Sequence, residues 1–251
     1  MSAGLSVVII ALDEEDSIGE ALESVQWADE VIVVDSGSAD RTVEIARARG
    51  AKVLVTSDWP GFGAQKNRAL DQATRQWVLS LDADERVTPE LRTEIAAVLA
   101  ADGPHEAYEM ARLSSYCGRF MRHGGWWPDR VTRLFRRGAA RFSDDLVHER
   151  VVVKGSTGRL KGHLLHRAYE DLEEVLRKID RYSTAGARMR HEKGERGSVT
   201  RAVAHGAWAF FRTYVLRAGF LDGRHGFMLA VSNAEATYYR YVKLMLLGEK
   251  R

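Results

Sequence analysis

The segment Trp77-Val-Leu-Ser-Leu-Asp-Ala-Asp-Glu85 is the most informative about the fold, because a short apolar run of strand length ends abruptly in acidic residues. We interpret Trp77–Leu81 as a strand, after which the chain leaves the sheet through Asp82 to Glu85. Thr88-Pro89 then marks the start of a helix, since proline favours the first helical position. A strand followed by a helix is the repeating unit of sheets with parallel strands.

The preceding residues repeat this alternation of strand and helix. Runs rich in β-branched residues predict strands at Ser6–Leu12, Val31–Val34 and Lys52–Thr56. Between the first two strands, Ser17 and Glu20 form a capping-box pattern that predicts the start of a helix. The pattern predicts an α/β fold with a mixed, mainly parallel sheet flanked by helices.

Acidic residues follow several of these predicted strands. The carboxyl ends of the strands form the ligand crevice of an open α/β sheet, so we expect these acids to share one cleft. Carboxylates at alternate positions beyond a strand, as in Asp82-Ala83-Asp84, can reach one divalent cation as oxygen ligands. An isolated tripeptide of this kind is more often a solvated turn, and its place at a strand end favours a metal site. The acids expected in the cleft are Asp13, Glu14, Asp35, Asp82 and Asp84.

Composition excludes several classes of protein. The chain has 251 residues, of which 45% are hydrophobic, and this is enough for one substantial core. The single cysteine, Cys117, rules out an intramolecular disulfide and a cysteine-rich metal cage. The N-terminal apolar run has no basic region before it, and no apolar stretch approaches the roughly 18 residues of a membrane-spanning helix. We therefore expect a cytoplasmic protein without a signal peptide.

Charge is distributed unevenly, although the net charge is only +2. Residues 1–158 carry 19 Lys and Arg against 25 Asp and Glu, whereas residues 159–251 carry 18 against 10. We expect a main domain at residues 1–200 and a helical C-terminal extension at 201–251. An anionic membrane surface and an ordinary solvated helical face both explain the basic C-terminal part.

Two apolar stripes occur in the C-terminal extension. Trp208, Phe211 and Val215 recur at helical spacing beside basic residues, and Phe227 and Tyr241 belong to a second stripe. Such stripes indicate either peripheral binding to the inner face of a membrane or packing on the rest of the protein.

Six motifs follow one another along the chain: Ser6–Glu14, Val34–Thr42, Gly61–Asn67, Leu81–Glu85, Arg133–Arg137 and Val147–Glu149. In this order they resemble the family-2 glycosyltransferases with the Rossmann-like GT-A fold. The resemblance covers most of the chain and is closest to the bacterial lipopolysaccharide-core β-1,4-glucosyltransferase group. It implies inverting transfer of a sugar from a nucleotide sugar, UDP-glucose in the first instance, to a glycolipid acceptor such as the lipopolysaccharide inner core.

The resemblance also implies roles for single residues on the donor side. Asp35 is suited to a base N–H or a ribose hydroxyl, but it could instead cap the turn before Gly37. Lys66 corresponds to a basic residue near the diphosphate, and the alternative is a solvated lysine on a helix. Asp13 and Ser36 depart from the usual family motifs, and this bears on the base and the sugar that are recognised. The implied donor-binding residues are Leu12, Glu14, Asp35, Lys66 and Asp82.

A divalent cation, Mg²⁺ or Mn²⁺, is the expected cofactor. Asp84 is the expected principal ligand, with Asp82 contacting ribose or metal, since hard cations prefer carboxylate oxygens. His166 follows a strand-like stretch, and the resemblance implies that it completes the metal shell. A histidine with a purely structural role is the alternative.

Glu149 is the implied catalytic base. It stands where the family usually carries a Glu-Asp pair whose second acid deprotonates the acceptor. Asp129 is the competing candidate for this role. A surface ion pair with Arg150 or Arg133 is the alternative without a catalytic role.

The acceptor side is expected around the segment Gly124–Pro128 and the basic region that follows it. Aromatic faces of Trp126 and Trp127 can pack on sugar rings, and arginines such as Arg133 can bind phosphates. Asp129 belongs to the same group of acceptor-side residues. Packing in the protein core is the alternative for both tryptophans.

Two other functions use the same features. A nucleotidyltransferase would also hold a metal and a nucleotide, but it would favour a glycine-rich basic loop where this chain has Asp13-Glu14-Glu15-Asp16. A non-catalytic sugar- or lipid-binding scaffold is the second alternative, because a fold alone does not guarantee activity. The expected partners are a nucleotide-sugar donor, a glycolipid or lipid-linked acceptor and an anionic membrane surface. No nucleic-acid partner is expected.

Overall fold

The computed structural model describes residues 3–143 and 150–249. These residues form two compact units, each assembled from separate stretches of the chain. The first unit comprises residues 3–112, 129–143 and 150–166, and the second comprises residues 113–128 and 167–249. The expected division at residue 200 falls within the second unit, and domains at 1–200 and 201–251 stay a proposal.

Four parallel strands begin the sheet of the first unit. They are β1 (Leu5–Ala11), β2 (Glu30–Asp35), β3 (Lys52–Val55) and β4 (Trp77–Asp82), in the spatial order β3-β2-β1-β4. All four predicted strands are confirmed within one residue at each end. β1 is buried on both faces, because Val7 and Ile9 enter one apolar cluster whereas Val8 enters another.

The later strands either extend this sheet or form a separate pair. They are β5 (Glu85–Val87), β6 (Ala107–Tyr116), β7 (Arg119–Phe120), β8 (Asp129–Arg136), β9 (Ala140–Phe142), β10 (Val151–Val153) and β11 (Thr157–Tyr169). The order continues from β4 through β8, β6 and β11 to β5, while β7 pairs with β6. β9 and β10 form a separate antiparallel pair. β8 is antiparallel to β4 and β6, and β5 is antiparallel to β11.

Helices cover both faces of the parallel strands. They are α1 (Ile18–Ser24), α2 (Thr42–Ala48), α3 (Phe62–Gln72) and α4 (Pro89–Ala101). Ile18 of α1 and Ile95 of α4 join the cluster that contains Val7, whereas Ala69 of α3 joins the cluster that contains Val8. Full burial of a side chain such as Ile95 contributes about 1.5–3 kcal/mol. The observed arrangement confirms the predicted α/β fold with a mixed sheet flanked by helices.

Both predicted helix starts are confirmed, but only one of them has the predicted side-chain cap. The start at Thr88 is confirmed, because the Thr88 hydroxyl accepts a hydrogen bond from the Leu91 N–H and Pro89 is the first helical residue. The start at Ser17 is also confirmed, since α1 begins at Ile18, but the capping box itself is wrong. The Ser17 side chain makes no capping bond, and the Glu20 carboxylate instead accepts a hydrogen bond from Arg86 Nε at 3.0 Å.

Helices dominate the second unit, as the sequence predicts for the C-terminal part. They are α5 (Leu172–Glu192), α6 (Val199–Phe211) and α7 (Gly223–Glu249). A π-helical turn, Arg212–Leu216, continues α6, and a 3-10 turn, Gly219–Asp222, precedes α7. α7 packs against both α5 and α6. The side chains of Asp171 and Ser198 cap the first two of these helices.

The two predicted apolar stripes lie in different environments. Trp208, Phe211 and Val215 are exposed, and so is Phe227 at the start of α7. Tyr241 is buried among residues of all three helices, with its ring stacked on that of His205 at 4.3 Å. The alternative of internal packing therefore applies at Tyr241. Among the residues described, no helix has the length and apolar character needed to cross a membrane.

Candidate active site

Neighbouring strands bring acidic residues to one edge of the sheet. In the pairing of β1 with its two neighbours, Ala11 is the partner of Asp35 and Ile10 is the partner of Asp82. Because β1 lies between β2 and β4, these aspartates flank its carboxyl end. The predicted convergence of these two strand ends is confirmed, whereas the roles of the residues stay predictions.

Hydrogen bonds join the loops that follow β1 and β2. The Ser38 hydroxyl donates to Asp35 Oδ2 at 2.5 Å and accepts from the Asp13 N–H at 2.8 Å. The Ala39 N–H donates to Asp13 Oδ1 at 2.8 Å. These bonds hold Asp13 in the left-handed region, with a φ of 54°. Each loop therefore fixes the position of the other.

Asp35 closes the turn that follows β2. Its side chain is fully buried, and Oδ1 accepts hydrogen bonds from the N–H groups of Gly37 and Ser38, both at 2.9 Å. Gly37 has a φ of 90°, which glycine adopts readily. The turn-capping alternative is therefore correct, and a contact between Asp35 and a nucleoside stays a prediction.

Leu12 and Glu14, also predicted to bind the donor, lie in the first of these loops. The Glu14 N–H donates to Thr42 Oγ1 at 2.7 Å, and the Thr42 hydroxyl donates to Asp40 Oδ1 at 2.5 Å. The Leu12 side chain is exposed. The loop thus has a backbone tied to α2 and an apolar side chain open to solvent.

Lys66, Asp82 and Arg133 form a cluster of ion pairs. Lys66 Nζ lies 2.9 Å from Asp82 Oδ1, and Arg133 Nη2 donates to Asp82 Oδ2. Lys66 is 6% exposed, and its ammonium group also lies over the ring of Phe142. The alternative of a solvated lysine is therefore wrong.

Two residues without a predicted role extend this cluster. Glu85 is fully buried, and its Oε1 accepts hydrogen bonds from Arg133 at 2.7 Å and from Arg112 at 3.3 Å. Arg112 also donates through Nε and Nη2 to Asp129 Oδ2, at 2.9 and 2.7 Å. Positive and negative side chains thus alternate from Lys66 to Asp129. The sequence signal for Glu85 is its place directly after the Asp82-Ala83-Asp84 motif.

The ion pairs change the proton affinity of their members. Burial alone would raise the pKa of Asp82, but the charges of Arg133 and Lys66 outweigh it and hold that pKa well below its ordinary value. Burial would lower the pKa of Arg133, but Asp82 and Glu85 hold it above its ordinary value. Asp82 is therefore an anion whose charge is balanced by two neighbouring cations.

Asp84 and His166 form a second pair of candidate ligands. His166 Nε2 lies 3.1 Å from Asp84 Oδ2. The pairing of β5 with β11 brings them together, because His166 is the partner of Glu85, next to Asp84. Both side chains are partly exposed. Within residues 3–143 and 150–249, no group of three or more histidine, cysteine or acidic side chains is arranged to hold a metal ion.

The donor set of this pair fits a divalent cation that also binds substrate oxygens. A carboxylate oxygen from Asp84 and an imidazole nitrogen from His166 leave other coordination positions open for water or phosphate. Mg²⁺ in nucleotide enzymes is commonly held by one or two carboxylates together with phosphate oxygens and water. Imidazole nitrogen is also a suitable ligand for first-row transition metals.

A cavity of about 370 Å³ adjoins the ion-pair cluster. Asp82 contributes to its wall, which is otherwise rich in cationic side chains. Three of the cations already have carboxylate partners in the cluster, and Arg130 lies 4.0 Å from Glu109. A concave surface lined mainly by positive charge attracts anionic ligands. Its cationic residues are Lys66, Arg112, Arg130, Arg133 and Arg150.

Trp126 and Trp127, predicted to contact the acceptor, belong to the second unit. The Trp126 ring packs with the rings of Tyr116 and Tyr169, at centroid distances of 5.9 and 5.7 Å. The guanidinium group of Arg122 lies 5.6 Å from the ring centroid of Trp127. Packing within the second unit therefore accounts for Trp126, and acceptor contacts for both residues stay predictions.

The predicted catalytic base, Glu149, lies outside the described residues. Its competitor Asp129 is described, and one of its carboxylate oxygens accepts both hydrogen bonds from Arg112. The assignment of the base stays a prediction.

The sequence of this chain, whose fold and acidic strand-end site are described above, also matches a known protein family. Residues 6–153, more than half of the chain, match the family model described as Glycosyl transferase family 2. The chain therefore belongs to glycosyl transferase family 2, and it is a glycosyltransferase.

Two similar proteins cover nearly the whole chain. An uncharacterized glycosyltransferase of Rickettsia typhi is 32% identical over 258 residues, covering 98% of this chain and 88% of its own. The lipopolysaccharide core biosynthesis glycosyltransferase LpsC of Rhizobium meliloti is 31% identical over 251 residues, covering 96% of this chain and 91% of its own.

Solved structures give a more limited match. Glucosyl-3-phosphoglycerate synthase from Mycobacterium tuberculosis, in complex with Mn²⁺, uridine diphosphate and glucosyl-3-phosphoglycerate, is 28% identical with a TM-score of 0.38. The match covers 45% of this chain and 44% of that one, which is less than half of either.

Proposed function

We propose that this glycosyltransferase moves a sugar from a nucleoside diphosphate sugar to a hydroxyl group of a glycolipid, with inversion at the anomeric carbon. One observation carries the proposal. At one edge of the sheet, the Asp84–His166 pair lies close to Asp82, which is itself paired with two cations. Ligands of open α/β sheets bind at such edges, and a diphosphate needs positive charge nearby. Membership of glycosyl transferase family 2 supports sugar transfer as the reaction.

The donor is proposed to bind along the loops after β1 and β2. Leu12 offers an exposed apolar face to a planar base. Glu14 and Asp35 are proposed to contact the nucleoside, and for the buried Asp35 this requires a hydrogen bond of its turn to open. Lys66 is proposed to act near the diphosphate. The charge of Asp82 is balanced by its two cationic partners. Asp82 can therefore accept a hydrogen bond from a ribose hydroxyl without strongly repelling the phosphates. UDP-glucose is the first donor to test.

Asp84 and His166 are proposed to hold Mg²⁺ or Mn²⁺ when the donor is bound. Such a cation neutralises the charge that develops on a departing diphosphate. Arg86 donates a hydrogen bond to the backbone oxygen of Asp84 at 2.8 Å, which fixes the turn that carries this carboxylate.

The acceptor is proposed to be an anionic, lipid-linked sugar. The positive wall of the cavity beside Asp82 supports this, because guanidinium groups bind phosphates and carboxylates through paired hydrogen bonds. The name of the similar LpsC protein supports the lipopolysaccharide inner core as the first acceptor to test. Because such an acceptor is membrane-bound, we propose that the protein works in the cytoplasm at the inner face of the membrane.

Glu149 is proposed to accept the proton of the acceptor hydroxyl. The hydroxyl oxygen forms its bond to the anomeric carbon while the bond from that carbon to the diphosphate oxygen breaks. Attack from the side opposite to the leaving group inverts the configuration. A positioned carboxylate base commonly contributes about 10²- to 10⁴-fold to such a step.

A panel of nucleotide sugars and acceptors tests this proposal. We expect metal-dependent hydrolysis or transfer with one donor, with the product identified by mass spectrometry and the reaction stopped by a chelator. Asp84→Asn should lose this turnover without a change in thermal unfolding. Asp71→Asn is the matched control, because Asp71 forms a surface ion pair with Arg141 that contributes little to stability.

Two results would contradict the proposal. Full activity of Asp84→Asn, or activity that a chelator leaves unchanged, would remove the metal assignment. Tight binding of a nucleotide sugar without hydrolysis or transfer to any acceptor would favour the non-catalytic scaffold.

A further inference from the structure

The end of α6 and the turns after it expose several large apolar side chains close together in the sequence. Leu216 is 58% exposed and Leu221 is 57% exposed, so more than half of each side chain is in contact with solvent. The rings of Trp208 and Phe211 are in contact, with their centroids 5.9 Å apart. Groups of exposed apolar side chains mark interaction surfaces. We call this set the 208–221 surface, and it comprises Trp208, Phe211, Val215, Leu216, Phe220 and Leu221.

Small residues on the opposite face of α6 explain why the large ones point outward. Ala202, Gly206, Ala209 and Thr213 are buried and follow one another at intervals of three or four residues. A Cβ atom on Gly206 would lie 3.3 Å from the backbone oxygen of Ala234 in α7. Because α6 packs closely on α7 through small residues, its large apolar residues remain on the solvent side.

The turns that carry the rest of the surface are firmly held. The Asp222 carboxylate accepts hydrogen bonds from the backbone N–H groups of Arg122 and His123, at 3.0 and 2.8 Å. A Cβ atom on Gly226 would lie only 1.8 Å from the backbone oxygen of Gly219, so these two segments are in direct contact. The exposure of the leucines is therefore a property of the folded chain.

Within residues 196–234, the exposed charged side chains of the described structure are all positive. Arg201, Arg212, Arg217 and Arg224 are all exposed. The single acidic residue between positions 196 and 234 is Asp222, which is buried. This stretch of chain thus combines exposed apolar side chains with these four exposed arginines and no exposed acid.

We propose that the 208–221 surface and its four arginines seat the protein on a bilayer with anionic headgroups. The apolar side chains enter the boundary between headgroups and acyl chains, and the guanidinium groups pair with lipid phosphates. Trp208 suits this boundary, because an indole ring has both an apolar body and a polar N–H group. The proposal goes beyond sugar transfer, because none of the residues of the 208–221 surface is among those proposed to bind the donor, the metal or the acceptor.

A second copy of the chain is the other occupant to consider. In a two-fold dimer the same surface meets itself. The arginines of both copies would then face each other with no exposed acid from residues 196–234 to pair with them. Like charges brought together in this way oppose association. Anionic headgroups supply the negative charge that a second copy lacks.

Flotation of the full chain with lipid vesicles tests the proposal. We expect binding to vesicles of phosphatidylcholine with phosphatidylglycerol, at least about tenfold weaker binding to phosphatidylcholine alone, and release at high salt. Leu216→Glu and Leu221→Glu should each weaken binding about tenfold or more, because each removes a leucine from the apolar phase. Arg212→Glu should weaken binding to the anionic vesicles but not binding to vesicles of phosphatidylcholine alone.

Leu176→Glu is the matched control. Leu176 belongs to the same unit, on α5, and is 48% exposed. This variant should bind vesicles as the wild type does, and thermal unfolding should show that all variants fold. Fluorescence gives a local readout: anionic vesicles should shift the emission of the wild type to shorter wavelength, and Trp208→Phe should remove most of that shift.

Two outcomes would overturn the proposal. The first is equal binding of Leu216→Glu, Leu221→Glu and Leu176→Glu to anionic vesicles. The second is a concentration-dependent dimer that Leu216→Glu dissociates, without vesicle binding by the wild type, since this would assign the surface to a second copy. Neither measurement uses a nucleotide sugar, so the result is separate from the test of sugar transfer.

Discussion

Arg133 donates a hydrogen bond to Glu85 over 2.7 Å, and the two side chains are almost or completely shielded from solvent. Removing two charges from water is costly, and a buried pair persists when further hydrogen bonds satisfy its remaining atoms. Here Asp82 also pairs with Arg133, and Arg112 also pairs with Glu85. Arg133 Nε is buried without a hydrogen-bond partner among the described residues. The loss of either member would leave its partner as a buried charge with fewer contacts.

We expect Arg133→Met to lower the free energy of unfolding by about 3–5 kcal/mol, measured by urea denaturation. Adding Glu85→Gln should recover part of this loss, because glutamine is uncharged yet can still accept the hydrogen bond from the Asp82 N–H. If the double variant loses as much free energy of unfolding as the two single variants together, the buried charges are not coupled.

Glu149→Gln should bind UDP-glucose normally but transfer its sugar about 10²- to 10⁴-fold more slowly, because the acceptor proton loses its carboxylate. Asp129→Asn should cost less, since one oxygen of Asp129 is already engaged by Arg112. Calorimetric donor binding and turnover at saturating donor separate the two steps. An active Glu149→Gln beside an inactive Asp129→Asn with intact binding would make Asp129 the base.

Glu30 should make the stability depend on pH. Burial would raise its pKa, but hydrogen bonds from Ser6 and Thr74 and the charge of Lys52 outweigh this and lower it. The unfolded chain takes up this proton near pH 4.3, about the ordinary glutamate value, whereas the folded chain takes it up only at lower pH. The stabilisation is therefore complete above about pH 4.3 and is lost as the pH falls through the folded pKa.

Glu30→Gln tests this sign. The wild type should be more stable than the variant at pH 7, and urea denaturation should show the difference shrinking below about pH 4. A difference that stays constant from neutral to acidic pH would contradict the role of this carboxylate.

Gly162→Ala should destabilise the first unit by about 1–3 kcal/mol. Its Cβ atom would lie 2.6 Å from Leu91 Cα and 2.7 Å from Leu91 N, so α4 would have to move away from β11. Gly248→Ala is the control, because its added Cβ meets no atom within 4 Å among the described residues beyond its chain neighbours and the nearby backbone of its own helix. Thermal unfolding should shift down for the first variant and not for the second.

Features set by neighbouring residues were predictable from the sequence. β4 follows from the apolar run Trp77–Leu81, and the start of α4 follows from Thr88 and Pro89, because these patterns act over a few residues. Asp35 and Asp82 were placed at one edge by the same logic, since parallel strands align their carboxyl ends.

Features that depend on distant partners were not predictable. Glu85 was expected to leave the sheet, but it starts β5 through pairing with β11. Its cationic partner Arg133 lies 48 positions later, and no local pattern reveals such a contact. The capping box failed for the same reason, because Arg86, 66 positions from Glu20, binds its carboxylate.

The discontinuous second unit has a consequence for synthesis of the chain. The hydroxyl groups of Tyr116 and Ser232 lie 2.7 Å apart, although 116 positions separate them in sequence. At about 5–20 residues per second, a ribosome takes roughly 6–23 s to add that many residues. During this interval the nascent chain contains Tyr116 and Met121 but not yet Leu229, which belongs to the same apolar cluster in the folded protein. A nascent chain that ends before α7 therefore presents this apolar cluster to chaperones and to neighbouring nascent chains.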